Sequence, residues 1–286
     1  MDLSNMSLSN EEYHAHPAVS KSSLDLIARS PKHYWAKYVD PNRVASEPTA
    51  AMLLGTAVHT HILEPDTWDL RYITAPEGID RRTKAGKESF AAFQKDAGDR
   101  VTITSDDTDL VMAMGRAVRD HMAANILINK GLGKAENTYM WLDDTTGLHC
   151  KCRPDWISNG GSILVDLKTT EDASLKEFQR SIAKYNYHNQ AAWYLKGVEQ
   201  AIGIRPKQFL FICVEKRSPH CVAVYAADAA MIAAGETATR KALDTLAVCR
   251  AADSWPGYSD DIEPISLPPW MLPKADGCAL PSIEMY

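Results

Sequence analysis

The sequence predicts an α/β protein with a central mixed β-sheet flanked by helices. Helical periodicity dominates both ends of the chain, short strand-like runs fill its middle, and a second pair of strand-like runs precedes the last helix. Among the 286 residues, 45% are hydrophobic and 24% are charged, which is ordinary for a globular protein. This order of elements favours one α/β domain.

Four helices are predicted before the middle of the chain, over residues 20–29, 31–38, 50–63 and 105–130. Ser20 is a good N-cap, and Pro31 suits the first turn of the second helix. Pro65 ends the third helix, and Gly131 ends the fourth, an amphipathic segment.

Short β-branched and aromatic runs then predict strands over 137–142, 148–157 and 162–167. The turn sequences DDTTG and NGG separate them. Helical periodicity returns over 174–200 and 227–250, on either side of two further predicted strands, 208–214 and 221–225. We expect a flexible N-terminus over 1–18, a single domain over 19–253 and an irregular Pro-rich tail over 254–286. The domain divides into a helical part, 19–133, and a sheet part, 134–253.

The net charge and the cysteines bear on whether the chain binds nucleic acid or holds a zinc or iron–sulfur site. The net charge of −6 argues mildly against nucleic-acid binding by the whole surface, although a local basic strip could still bind phosphates. The N-terminus resembles no signal peptide, so the six cysteines are interpreted as free thiols in a reducing cytoplasm. Their spacing does not support a zinc or iron–sulfur site, and no apolar run predicts a membrane span.

The segment CKCRPDWISNGGSILVDLKTT, residues 150–170, carries the most chemistry. If Gly160-Gly161 forms a two-residue hairpin turn, Asp155 lies opposite Asp166, with Cβ atoms ~5 Å apart. Lys168 then shares their face. If the turn is centred on Asn159-Gly160, Asp155 becomes diagonal to Asp166 on that face, and only a three-residue loop or a bulge would separate the carboxylates.

Two opposed carboxylates repel each other, and a divalent cation removes the conflict. Oxygen ligands favour hard ions such as Mg²⁺. Lys168 would be close enough to lower the pKa of a metal-bound water. The opposed charges also predict that removing Asp166 leaves the metal-free stability unchanged or higher. The alternative is that both aspartates are exposed strand residues and Lys168 pairs with one of them.

These residues resemble a known signature. Pro154-Asp155 followed by Asp166-Leu167-Lys168 is similar to the motif of PD-(D/E)XK nucleases. Further segments resemble the RecE-type branch (the exodeoxyribonuclease VIII nuclease domain), which is related to lambda exonuclease and the RecB nuclease domain. They are SKSSLDLIARSPKHYW (20–35), GTAVH (55–59), RRTKAGKESF (81–90), Glu136, TGLHCKCRPDWI (146–157) and QAAWY (190–194). The resemblance implies a restriction-endonuclease-like core and covers about 13–250.

The resemblance also implies roles for individual residues. The metal ligands would be His59, Glu136, Asp155, Asp166 and the carbonyl of Leu167. Lys168 would activate water, and Gln190 and Tyr194, one helical turn apart, would touch the site or the substrate strand. DNA contacts would come from Arg81, Arg82, Lys84 and Lys87, because phosphate binding needs such a cluster.

By the same resemblance, the chain is a Mg²⁺-dependent 5′-to-3′ exonuclease on double-stranded DNA ends, with Mn²⁺ as a substitute and one or two ions per site. Such an enzyme, typical of phage recombination, leaves 3′ overhangs for a single-strand annealing protein of the RecT type. It would be a ring-shaped homo-oligomer, a trimer or tetramer. The alternatives are an endonuclease or flap nuclease on the same site, or a DNA-binding module without catalysis.

Overall fold

The computed structural model describes residues 8–44, 47–80, 82–128, 132–268 and 271. Its strands are β1 (Tyr72–Thr74), β2 (Val101–Ile103), β3 (Gly133–Ala135), β4 (Tyr139–Leu142), β5 (His149–Cys152), β6 (Trp156–Ser158), β7 (Ile163–Thr170), β8 (Gln208–Glu215) and β9 (Val222–Ala226). Five of them form the central sheet in the order β3-β6-β7-β8-β9. β7 and β8 pair in parallel and the other neighbours are antiparallel, so the predicted mixed sheet is confirmed.

The described chain also contains α-helices. They are α1 (Asn10–Ala15), α2 (Lys21–Arg29), α3 (Pro31–Tyr38), α4 (Ala50–Leu63), α5 (Trp68–Arg71), α6 (Lys84–Ala97), α7 (Ser105–Asp120), α8 (Met122–Leu127), α9 (Leu175–Tyr185), α10 (Tyr187–Ile202) and α11 (Ala229–Ala252). The predicted helices over 20–29, 31–38 and 50–63 are confirmed as α2, α3 and α4. Ser20 caps α2 and Pro31 opens α3, as expected.

Side chains of β7 alternate between two hydrophobic cores, one on each face of the sheet. Leu164 packs in the core that contains Ala191 of α10. Val165 and Leu167 pack in the other core, together with Val58 of α4. Because a strand points successive residues to opposite faces, α10 and α4 lie on opposite sides of β7.

The segment 148–157, predicted as one strand, is two strands in different sheets. β5 pairs with β4 as a separate two-stranded ribbon, whereas β6 joins the central sheet. The break falls at Arg153-Pro154-Asp155, where Pro154 has no N–H to donate to a strand ladder. Asp155 is therefore carried on a bend instead of inside a strand.

Two long predicted helices are also divided. The segment 105–130 breaks at His121, whose extended backbone ends α7 and whose Nδ1 accepts a hydrogen bond from the Ala124 amide at 3.2 Å. The segment 174–200 breaks at Asn186, which adopts a left-handed conformation with φ 53°. A side chain that caps locally and an Asn that tolerates positive φ compete with helix continuation.

Within the segment 1–18, which the sequence analysis expects to be flexible, residues 10–15 form α1 behind a capping box at Ser9, with Tyr13 buried. Residues 1–7 lie outside the described part of the chain. Residues 254–268 contain no helix or strand. The five described cysteines are free, and Cys278 lies outside the described residues. No helix in the described ranges has the length and apolar character needed to cross a membrane.

Candidate active site

The hairpin of β6 and β7 has the predicted register. Ile157 pairs with Leu164 and Trp156 with Val165. Continued by one step, this register places Asp155 across from Asp166. The sequence therefore identified the correct pairing of the two strands.

The turn that sets this register differs from the first prediction. The amide of Gly161 donates to the carbonyl of Ser158 at 2.9 Å, so Asn159 and Gly160 occupy the central turn positions. Both glycines have positive φ, 80° at Gly160 and 72° at Gly161. A second left-handed glycine after the turn allows this connection to keep the register expected for a Gly-Gly turn.

Asp155 is the residue around which the site is organised. Its Oδ2 accepts a hydrogen bond from the Leu167 amide at 2.7 Å and lies 3.4 Å from Nδ1 of His59. Its backbone carbonyl accepts from the Glu136 amide at 3.1 Å. The Leu167 contact that the structure describes is thus made by its N–H, while the predicted ligand was its carbonyl oxygen.

Glu136 directly follows β3 and has φ 50°, a left-handed backbone that non-glycine residues seldom adopt. At this bend the Glu136 N–H donates its hydrogen bond to the backbone carbonyl of Asp155. Burial first, and the nearby Asp155 charge second, raise the pKa of the Glu136 carboxyl to about 8. Glu136 is therefore held beside Asp155 in surroundings that disfavour the ionisation of Glu136.

His59, Glu136 and Asp155 each offer one ligand atom, and these three atoms all lie within 4.8 Å of one another. A cation would relieve the repulsion between the two carboxyls and restore the ionisation of Glu136. Carboxylate oxygens suit Mg²⁺, and an imidazole nitrogen is accepted more readily by Mn²⁺. The donor set therefore fits a divalent metal ion.

Asp166 is fully buried, and it belongs to a second set of contacts. Its Oδ1 accepts from Nε2 of Gln190 at 2.5 Å, and its Oδ2 lies 2.5 Å from Nζ of Lys168. Lys168 Nζ also donates to Oε1 of Gln190 at 3.0 Å, which closes a three-residue network. Within the described residues, Asp166 is not one of the three clustered ligand donors.

The alternation of β7 explains this division. Asp166 shares a face with Leu164 and points towards α10, which carries Gln190. His59 is on α4, which packs on the opposite face. The two sets nevertheless lie side by side, because Asp155 accepts a hydrogen bond from the amide of Leu167, the residue next to Asp166 on β7.

The pKa values of Asp166 and Lys168 depend on burial and on each other's charge. Burial raises the pKa of Asp166 to about 6, although the nearby Lys168 ammonium acts to lower it. Burial would lower the pKa of Lys168, but the carboxylates of Asp166 and Asp155 outweigh that effect and raise it. Lys168 therefore remains an ammonium at neutral pH and acts as a donor and a positive charge.

Tyr187 was missed by the sequence analysis. The Lys168 ammonium lies 4.6 Å from the centre of its ring, a cation–π contact. Tyr187 is three residues before Gln190 on α10, so helical spacing could have identified it. Tyr194, one turn after Gln190, lines the same cleft as Gln190, and burial raises its pKa, so it remains a phenol.

The predicted basic cluster lies apart from these contacts. Arg81 lies outside the described residues. Arg82 pairs with Asp80 at 2.9 Å, and its side chain is 91% exposed. Lys84 and Lys87 are in the first turn of α6. The two described cavities that border Lys168 and Gln190 include none of these residues.

Comparisons with known proteins bear on the fold. The solved structure of a candidate exonuclease from Eubacterium rectale has a TM-score of 0.60 at 16% sequence identity, covering 91% of this chain and 97% of that one. A phage-related exonuclease from Haemophilus somnus 129PT gives a TM-score of 0.36 at 13% identity, covering 85% and 99%. The first similarity supports the fold alone, and the second carries no argument. No curated protein sequence matches the chain.

A family profile completes the comparison, because it matches residues 20–268 and so includes every described element from α2 to α11. The matched range contains both the cluster of His59, Glu136 and Asp155 and the Asp166–Lys168–Gln190 network. The chain belongs to the family described as PDDEXK-like domain of unknown function (DUF3799).

Proposed function

We propose that this chain is a divalent-metal-dependent exonuclease that degrades the 5′ strand from double-stranded DNA ends. The observation that carries the proposal is the arrangement of the cluster His59, Glu136 and Asp155 beside a buried Asp166–Lys168–Gln190 network. The solved structure that shares this fold is described as that of a candidate exonuclease, and the proposal assigns the same activity class to this chain. An acidic, metal-compatible site beside a fixed ammonium suits phosphodiester hydrolysis.

His59, Glu136 and Asp155 would hold the ion, and Asp166 and the Leu167 carbonyl are proposed to complete its shell. When bound, Mg²⁺ polarises a phosphoryl oxygen and lowers the pKa of coordinated water. Mn²⁺ would substitute, and the site would take one or two ions. A phosphate of the bound substrate would supply oxygen ligands in addition to those of the protein, as Mg²⁺ prefers.

Lys168 is proposed to stabilise the attacking water. Its ammonium is held by Asp166 on one side and by Gln190 Oε1 on the other, so its position is fixed before substrate arrives. A donor held in advance where negative charge develops is more effective than one that must reorganise. Gln190 is a positioning residue in this scheme, because it bonds to both partners, and Tyr194 would touch the substrate strand.

The finer properties rest on the RecE-type resemblance. They are the 5′-to-3′ polarity, the preference for duplex ends, the 3′ overhangs used in recombination, a ring-shaped trimer or tetramer, and a RecT-type annealing partner. DNA contacts by Arg81, Arg82, Lys84 and Lys87 have the same basis.

One experiment tests the activity. Linear duplex DNA labelled separately at its 5′ or 3′ ends is incubated with the protein in Mg²⁺, in Mn²⁺ and in excess chelator. We expect early release of the 5′ label, later release of the 3′ label and no release in chelator. Closed circular DNA serves as the matched substrate without ends and should remain intact.

Other outcomes select other functions. Cutting of the closed circle would identify an endonuclease, and early release of the 3′ label would reverse the polarity. DNA binding with no cleavage in either metal would identify a non-catalytic module. Each result contradicts the proposal at a different step.

His59→Ala should raise the Mg²⁺ concentration needed for half-maximal cleavage by roughly tenfold or more, since even a supporting residue of a metal site commonly contributes that much. The ligand cluster would lose one of its three described donors. The measurement is a Mg²⁺ titration of cleavage at saturating DNA.

His61→Ala is the matched control on the same helix. His61 is buried, with Nε2 3.2 Å from Nη2 of Arg119, and its ring contacts Trp68 edge-on. We expect a lower melting temperature but an unchanged Mg²⁺ requirement. If His59→Ala also keeps the parental metal requirement, His59 is a packing residue.

A further inference from the structure

A large cleft opens beside the Asp166–Lys168–Gln190 network. It is bounded by α1, α2 and α3 and has a volume of about 1210 Å³. Pockets for drug-sized ligands measure roughly 300–1000 Å³, so this space suits a polymer better than a small molecule. Gln190 forms part of its wall and also bonds to Asp166 and Lys168, so the cleft ends one side chain from the proposed reaction centre.

The cleft is electropositive although the chain carries a net charge of −6. Among the described residues that line it, none is Asp or Glu. Its basic members are Lys21, Lys37, Arg43, Lys151, Arg250, His14, His16 and His33. A cleft lined by one sign of charge concentrates ligands of the opposite sign, even on an acidic protein.

Three of these cations are available to a ligand. Lys37, Arg43 and Arg250 are exposed, and within the described ranges none has a carboxylate partner. Arg43 donates to a backbone carbonyl, that of Asp40, and Arg250 donates to the Tyr34 hydroxyl. Lys21 is different, because its ammonium pairs with Asp25 at 2.7 Å.

The α1 wall is held in place by buried cations. Lys151 donates to the carbonyls of Tyr13 and His16, and its ammonium lies 4.5 Å from the Tyr13 ring centre. Arg153 covers the same ring at 4.2 Å. Burial lowers the pKa of Lys151 to about 8. Two cations, Lys151 and Arg153, therefore hold α1 in place. The α1 wall of the cleft is fixed by these contacts.

Aromatic rings are interleaved with the charges. Tyr38 is 37% exposed, lies 5.0 Å from Tyr34 and is flanked by the Lys37 ammonium. His33 also lines the cleft, whereas the Tyr13 ring in its wall is buried against Lys151 and Arg153. Cations that follow a backbone, together with rings on which bases stack, are typical of nucleic-acid strand binding.

We propose that this cleft between α1, α2 and α3 holds the DNA strand adjoining the scissile phosphate, with Lys37 and Arg43 as phosphate contacts. The inference rests on the proposed nuclease function and adds the path of the substrate strand. It places the main strand contact on the N-terminal helices, next to Gln190.

The test compares DNA affinity over a series of salt concentrations, in Ca²⁺ to support binding without cleavage. The probe is a short fluorescent duplex with a single-stranded overhang, followed by anisotropy. For the full chain carrying Lys37→Gln and Arg43→Gln, we expect weaker binding and a log–log salt slope reduced by about 1.4–1.8, from ~0.7–0.9 per lost phosphate contact. The charge-conserving pair Lys37→Arg and Arg43→Lys should retain most of the slope.

Lys207→Gln and Lys241→Gln form the matched control, since both lysines are exposed and neither lines the cleft. This variant should keep the parental slope. An unchanged slope in the Lys37/Arg43 variant, with an unchanged melting temperature, would overturn the cleft assignment. A parent chain that never cleaves DNA in Mg²⁺ or Mn²⁺ would instead overturn the nuclease function, so the two failures are distinguishable.

Discussion

Asp166→Asn should reduce cleavage by about a thousandfold or more, which corresponds to a loss of ~4 kcal/mol of transition-state stabilisation. The substitution preserves the shape of a fully buried side chain but removes its charge. The amide loses one carboxylate oxygen that faces Lys168 at 2.5 Å, so the ammonium is no longer held between two acceptors. The measurement is the single-turnover rate at saturating DNA and Mg²⁺.

Asp143→Asn is the matched control for this change. Asp143 is also a buried aspartate held by two cations, Arg240 at 2.9 Å and Lys196 at 3.6 Å, outside the proposed site. Both variants should lose stability, since each leaves a cation without its counter-charge. Only Asp166→Asn should lose cleavage. Near-parental cleavage by Asp166→Asn would remove Asp166 from the mechanism.

The stability part of this expectation reverses the one drawn from sequence. Two opposed carboxylates predict that removing Asp166 relieves repulsion. In the structure, Asp166 is neutralised by Lys168 and bonded by Gln190, so its removal breaks a buried pair. The sequence predicted that Asp155 and Asp166 share one face of the hairpin. It could not indicate which side chains would bond to each carboxylate.

Local patterns accounted for the hairpin and several helices. The NGG turn indicated the pairing of Ile157 with Leu164, because the register of a hairpin follows from its turn. The helix 50–63 follows from a cap at Thr49 and a stop near Pro65. Each of these turn, cap and stop residues lies within a few positions of the hairpin or helix end that it determines.

The remaining features depend on contacts distant in sequence. The short strand β3 ends directly before Glu136 and is held by its pairing with β6. α1 is fixed by Lys151 and Arg153, about 135 to 145 residues away in the chain. No periodicity in a six-residue helix predicts such anchors. The break at Pro154 was visible in the sequence, but its consequence for β5 was not.

Lys168→Ala should lower the single-turnover cleavage rate by about 10²–10³, the usual effect of removing one preorganised donor at a site of developing charge. DNA affinity in Ca²⁺ should change little, because one ammonium that is only 17% exposed adds little to a contact made by many phosphates. Asp166 would lose its counter-ion, so a melting curve must accompany the rate.

Variants of Gln190 can distinguish a residue that positions Lys168 from one that acts directly on the substrate. It fixes Lys168 through Oε1 and Asp166 through Nε2, so Gln190→Ala should lower the rate by acting through those two groups. If Gln190 only positions Lys168, the double variant should cleave no more slowly than Lys168→Ala alone, a non-additivity expected of residues that act as a unit. Additive losses would instead mean that Gln190 acts on the substrate itself.

If Lys168→Ala lowers DNA affinity as much as it lowers the rate, Lys168 is a phosphate anchor, and the stabilisation of the attacking water must come from another residue.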